Sequence, residues 1–279
     1  MTISDCAFVR LANGLRLAYV EQGERDGAAI VFLHGYSDSH RSFDLLMPHV
    51  PRAWRSIAVT QRGHGHSDKP HEPYAVKDFA ADVPLLLDAL NIDRAILVGH
   101  SMGSSIALQA AADYPDRVAG VALLGAFAAF QGNAAVDELG QAIQSFTESV
   151  DPEFVLAFQE ATVAGMIPQR YLDTVVNESL RCPSRVWRRV FQGMQACDPL
   201  AAAERCRTPG VVIWGDADAF CPRADQLVLR DTLPEGRLFT LRGVGHALHW
   251  ERPAETASIL RAFVAELDDA DPFRDAVFG

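Results

Sequence analysis

No two cysteines stand in a C-x-x-C spacing, and the five present (Cys6, Cys182, Cys197, Cys206 and Cys221) are odd in number. That argues against a disulfide framework and against a cysteine-built zinc site; it fits free thiols in a reducing compartment, so a cytoplasmic location is expected. Basic blocks are missing as well. With a net charge of −11, neither nucleic acid nor an anionic membrane surface is an expected partner. The opening MTISDCAFVR lacks the positive leader and apolar core of a secretory signal. Long hydrophobic runs are also lacking. The longest, VAGVALLGAFAAF at 118–130, is too short to span a bilayer and reads as a buried strand followed by a loop. No internal repeat or low-complexity tract is found.

What is present is an ordinary globular composition, 49% apolar and 22% charged over 279 residues, enough to bury a large core. FVRLANGLRLAYV alternates around Asn13-Gly14 and predicts a β-hairpin. AAIVFLHG (28–35), SIAVTQRGHGHS (56–67), AILVGH (95–100) and VAGVALLG (118–125) are apolar runs of the kind buried on both faces of a parallel sheet. Between them, 76–90 and 101–115 carry helical spacing, the first despite Pro84. The alternation stops between about 128 and 197, where only helical patterns occur, with Pro152, Pro168 and Pro183 near predicted helix boundaries. It resumes with strands at 210–215 and 237–243, a helix near 223–231 and a last helix from Pro253 to Leu267. The prediction is an α/β fold, a mostly parallel doubly wound sheet with helices on both faces. Residues 1–127 and 198–279 would form its core and 128–197 a helical cap. The closing DDADPFRDAVFG reads as a poorly ordered polar tail.

Where the strand at 95–100 meets the helix after it, Ser101 sits between Gly99 and Gly103. A serine on so abrupt a turn must take a strained backbone angle, and only small residues two before and two after let strand and helix approach. Its hydroxyl would then stand at the carboxyl edge of the sheet, above a helix N-terminus that favours developing negative charge. The bland alternative is a serine N-cap with turn glycines. A nucleophilic serine needs a base and a group that orients it. WGDADAFCP (214–222) offers Asp216 and Asp218, and GVGHALHW (243–250) offers His246 and His249, each directly after a predicted strand.

LHG (33–35), RGHGHSDKP (62–70), GHSMG (99–103), YPDRV (114–118), GDADAFCP (215–222) and GHALHWERP (245–253) occur in an order that resembles the α/β-hydrolase superfamily, in its cap-bearing serine esterase and lactonase-like group. The resemblance covers nearly all of the chain outside 128–197. It implies a triad of Ser101, Asp218 and His246, with Asp216 left as a loop residue and His249 near a helix start. It also implies an oxyanion hole from the backbone N–H groups of Tyr36 and Met102. Relatives that carry the acid after the strand at 118–125 have no counterpart here, because LLGAFAAF holds no acid. Two departures stand out: the loop reads His34-Gly35-Tyr36-Ser37 without the usual proline, and Thr60-Gln61-Arg62-Gly63 replaces the usual D-x-R-G.

His34 and His100 adjoin the expected site; a hydrogen bond that fixes a loop is the leading reading for both, with substrate contact as the alternative for His34. Phe127, Phe154, Phe158, Trp187 and Phe220 are the remaining candidates for substrate contact. Phe154/Phe158 and Trp187/Phe191 are spaced i, i+4, which ordinarily means packing, and seven aromatics in 128–197 are no enrichment. His64 and His66 lack the carboxylate and cysteine partners of a metal site, and Cys221 reads as a buried thiol. No metal and no cofactor is expected. The expected activity is hydrolysis of a carboxylic ester or lactone of a small, largely apolar molecule by a monomer or homodimer. Perhydrolysis, amide or carbamate cleavage and C–C hydrolysis use the same triad, and a hydrolase-fold receptor with weak turnover is the alternative from another class. The resemblance disfavours epoxide hydrolysis and dehalogenation, because such relatives carry an aspartate at the position of Ser101.

Overall fold

The computed structural model describes residues 6–269. The expected tail 268–279 contributes its first two residues to the last helix, and the remainder lies outside the described residues. Eight strands form one sheet: β1 (Ala7–Arg10), β2 (Arg16–Gln22), β3 (Ala29–Leu33), β4 (Arg55–Val59), β5 (Ala95–His100), β6 (Val118–Leu124), β7 (Gly210–Gly215) and β8 (Arg237–Leu241). Their order is β1-β2-β4-β3-β5-β6-β7-β8. β1/β2 and β2/β4 pair antiparallel, and every pairing from β4/β3 to β7/β8 is parallel. The Asn13-Gly14 hairpin forms as expected, with Gly14 at φ 89°.

β4, β5 and β7 are buried along their whole length, as continuous apolar runs require. Alternate side chains serve two cores. Val31, Leu33, Leu97, Val121 and Val212 face α1 (Val76–Ala89), α2 (Met102–Asp113), α7 (Pro199–Arg205) and α8 (Arg223–Thr232). Ile30, Phe32, Val98, Leu124 and Ile213 face the segment 43–54, α9 (Leu248–Glu251) and α10 (Pro253–Asp269). Each such large side chain contributes about 1.5–3 kcal/mol on burial.

Between β6 and α7 the chain inserts α3 (Ala134–Gln144), α4 (Pro152–Ala161), α5 (Gln169–Leu180) and α6 (Ser184–Gln195). The three prolines act as helix starters: Pro152 is the first residue of α4, while Pro168 and Pro183 stand just before α5 and α6. Asn133 caps α3 by accepting from the N–H groups of Ala135 and Val136, and Asp151 caps α4 by accepting from Glu153. α7 and α9 were not expected. With seven and four residues they are too short to show a helical period. Among the described residues, no helix is long and apolar enough to cross a membrane.

Candidate active site

The loops that leave β3, β5, β6, β7 and β8 at their carboxyl ends build the site. Ser101 follows β5 directly, at φ 54° and ψ −118°, a strained region for a non-glycine residue. Its N–H still donates to the Leu124 carbonyl at 2.9 Å, so the turn is sharp but anchored to β6. The flanking glycines are required by space. A Cβ on Gly99 would lie 2.2 Å from the Gly103 carbonyl oxygen, and one on Gly103 would lie 2.0 Å from the Leu33 oxygen. Gly35, in the loop after β3, lies so close that an added Cβ would be 3.3 Å from the Ser101 Cβ. The Tyr36 and Met102 N–H groups donate to no protein acceptor among the described residues.

His246 donates from Nδ1 to Asp218 Oδ2 at 2.9 Å, in a pair almost wholly shielded from water. Asp218 is aimed by its other oxygen, which accepts from the N–H groups of Phe220 at 2.8 Å and Cys221 at 2.9 Å. A proton on Nδ1 leaves Nε2 of His246 as a free base. The ring rests on Gly125, where a Cβ would come within 3.0 Å of Nδ1, and its centroid lies 4.8 Å from that of His100. Gly125 follows Leu124 in sequence and His100 precedes Ser101, so the histidine stands beside the serine turn. Among the described residues the Ser101 hydroxyl itself forms no hydrogen bond, with His246 or with any other group. Such contacts commonly tighten only when substrate is bound.

Asp216 accepts from the Gly243 N–H at 2.6 Å, on the surface, and ties the two loops together. Asp218, Cys221 and His246 hold donor atoms within 4.8 Å of one another. Those donors suit an acid–base pair better than an ion. The carboxylate is engaged on both oxygens, the Cys221 thiol donates to the Gly125 carbonyl, and burial pushes that thiol well above its ordinary pKa.

Residues 28–253 match a family described by the alpha/beta hydrolase fold. The chain belongs to that family. It is therefore a hydrolase by family, and the relatives it matches bear different activities in their names. The 2-(acetamidomethylene)succinate hydrolase of Mesorhizobium japonicum is 27% identical over 85% of this chain and 88% of its own. Epoxide hydrolase A of Mycobacterium tuberculosis is 31% identical over 71% of this chain and 58% of its own. The solved esterase of Exiguobacterium antarcticum superposes with a TM-score of 0.84 at 21% identity, over 94% of this chain and 100% of its own.

His34 leaves the substrate-contact candidates. It is fully buried, its Nε2 accepts from the Gln61 N–H at 3.0 Å and its Nδ1 donates to the Gly35 carbonyl at 2.8 Å. It fixes the loop. His100 does the same for the histidine loop by donating to the His246 carbonyl at 3.2 Å. Phe220 and Phe127 flank the His246 ring at 5.1 and 6.0 Å between centroids. Phe158 meets Phe220 at 6.2 Å and Tyr36 at 6.3 Å, and Phe154 stacks on Phe158. Trp187 is fully buried behind them, against Phe146, Phe154, Phe158 and Tyr36. The aromatics of the insertion are ordinary in number, yet the fold collects most of them over one spot.

The replaced D-x-R-G loop is held by other means. Arg62 grips Asp82 of α1 with two bonds, at 2.6 and 2.7 Å, and Thr60 Oγ1 accepts from the His40 N–H. Several contributors had no signal in the sequence. Glu251 accepts from the N–H groups of Gly245, Ala164 and Gly165, clamping the histidine loop to the insertion. Asp38 is buried, and burial pushes its carboxyl up to about 7, against the pull of hydrogen bonds from Gln159 and Ser42 and of nearby His246.

Burial also lowers five histidines: His34 and His100 well below their ordinary value, His40 and His64 to about 4, and His249 to about 3. They stay neutral in the fold and gain a proton on unfolding. Their contribution is complete above pH 6.5, the unfolded value, and is lost as pH falls toward 4 and 3. Asp38, Asp44 and Asp225, raised by burial, pull the other way. With five histidines set against three carboxyls, net proton uptake on unfolding predicts stability that falls as the pH drops from 6.5 toward 4. Urea unfolding at pH 7.5, 6 and 5 measures it; equal stability at all three would contradict this account.

Proposed function

We propose that the protein is a serine hydrolase that cleaves a carboxylic ester or lactone of a small, largely apolar molecule, with residues 128–197 as its cap. The observation that carries this reading is the shielded Asp218–His246 hydrogen bond beside a serine held at φ 54°. In the proposed reaction Ser101 Oγ attacks the carbonyl carbon while His246 Nε2 takes the hydroxyl proton. Asp218 holds the ring and stabilises the imidazolium. The Tyr36 and Met102 N–H groups receive the tetrahedral oxyanion. Collapse breaks the C–O bond, and His246 passes its proton to the departing alcohol. Water, deprotonated by the same histidine, then attacks the acyl-enzyme and releases the acid and Ser101.

The rings of Phe154, Phe158, Phe220 and Phe127 support an apolar substrate, since they offer contact area and no charge. The serine favours ester over epoxide chemistry, despite the epoxide hydrolase among the relatives. A screen of p-nitrophenyl esters, aryl lactones, anilides, styrene oxide and a vinylogous diketone, run with wild type and Ser101→Ala, tests the proposal. Hydrolysis of the short esters, abolished in the variant, is expected. Turnover of styrene oxide alone, or equal rates in both proteins, would overturn it.

A further inference from the structure

Three consecutive residues of the loop after β3 are each tied to a different helix of the insertion. Tyr36 donates its hydroxyl to the Trp187 carbonyl of α6 at 2.6 Å. Ser37 donates to Ser179 Oγ of α5 at 3.2 Å. Asp38 Oδ1 accepts from Gln159 Nε2 of α4 at 3.0 Å, and the same amide nitrogen donates to Ser179 Oγ at 2.7 Å. All six residues are buried, so solvent does not compete for these bonds. The loop needs such support. It has no proline, and Ser37 sits at φ 64°, a conformation that a serine keeps only where its surroundings impose it.

We infer that the insertion completes the oxyanion hole: Gln159, through Asp38, and Ser179, through Ser37, are positioning residues that hold the Tyr36 N–H toward Ser101. The inference rests on the serine-hydrolase reading and adds to it a division of labour. The Met102 N–H is built into the turn at Ser101, whereas the Tyr36 N–H depends on α4, α5 and α6 closing over the loop. Full stabilisation of the oxyanion is thereby conditional on the closed arrangement.

The ionisation of Asp38 reports on this network, because an amide donor bonds a carboxylate more strongly than a carboxylic acid. Facing Asp38 are Gln159 of α4, Glu178 and Tyr171 of α5, Ser42 on the segment after β3, and His246. His249 of α9 reaches it through Ser42, which pairs with His249 Nε2 at 3.0 Å. Burial and Glu178 push the carboxyl up to about 7 while His246 pulls it down, so the network is strongest above neutral pH.

The probe is a p-nitrophenyl phosphonate. Ser101 Oγ would attack phosphorus, p-nitrophenolate leave, and the phosphoryl oxygen occupy the oxyanion position. Gln159→Leu, which cannot donate, is expected to lower the second-order labelling rate about 10–100-fold and kcat on p-nitrophenyl acetate by the same factor. KM should stay within about twofold. Ser179→Ala, a smaller change that also serves if Gln159→Leu does not fold, is expected to slow labelling about 3–10-fold. In wild type the acid limb of labelling against pH should steepen toward two ionisations, and Asp38→Asn should reduce it to one. Labelling at the wild-type rate in Gln159→Leu or Ser179→Ala, or a rise in KM that accounts for the whole loss, would overturn the inference and leave the serine reading intact. Wild type that does not label at all would overturn both.

Discussion

Ser101→Ala is expected to lower kcat/KM on a p-nitrophenyl ester by about 10⁵-fold while leaving the melting temperature within a few degrees. The activity falls because the alanine has no nucleophile, and the neighbouring Ser104 hydroxyl is committed to the Gly99 carbonyl at 2.7 Å. Stability holds because the Cβ stays and φ 54° is as awkward for serine as for alanine. The free hydroxyl donates to nothing that folding needs. Asp218→Asn should cost about 10⁴-fold through a different route. Its amide can present an N–H where Oδ2 now accepts from His246, which would shift the ring proton to Nε2 and remove the base. Steady-state kinetics on both variants, with thermal unfolding alongside, separates a chemical defect from a folding defect. Retention of more than a hundredth of wild-type activity in Ser101→Ala would remove the serine from the mechanism.

Gly103→Ala is expected to yield little or no folded protein, a penalty of more than about 4 kcal/mol for one methyl group. The atoms in its way are backbone: the Leu33 oxygen at 2.0 Å, the Leu33 carbon at 2.7 Å and the His34 oxygen at 2.8 Å. None can swing aside as a side chain would, and separating α2 from β3 would also displace the loop that carries Tyr36. Gly132→Ala is the control. Gly132 has φ 74° but open space around it, so only the left-handed strain applies, about 1 kcal/mol. Soluble yield and the urea midpoint of the two variants test this. A Gly103→Ala protein as stable as Gly132→Ala would show that the turn has slack the packing does not display.

The strand runs, the turn at Ser101 and the two loops that offer an acid and a histidine were legible because each depends on local pattern: apolar length, a glycine-flanked turn, a loop after a strand. The choice of Asp218 over Asp216 and of His246 over His249 came from the family resemblance. Pro152, Pro168 and Pro183 marked three helix starts for the same reason. The pocket was much less legible. Phe154/Phe158 and Trp187/Phe191 showed spacing that says which side of a helix they share but not what that side meets. For His34 the loop-fixing reading is the one the structure supports, since the Gln61 N–H and the Gly35 carbonyl claim both its nitrogens and leave none for the alternative, substrate contact. Asp38, Gln159 and Ser179 lie up to 141 positions apart in the chain (179 − 38), and no local rule joins them. Glu251 was inside a recognised segment, yet its three N–H partners come from two separate loops. Long-range pairing of polar groups is what the fold adds.

The central claim is a covalent acyl-enzyme on Ser101. Wild-type protein mixed with p-nitrophenyl acetate and quenched in acid within milliseconds should gain the mass of one acetyl group, and peptide mapping should place it on Ser101. An adduct on any other residue, or rapid hydrolysis with no adduct at any quench time, would contradict the account.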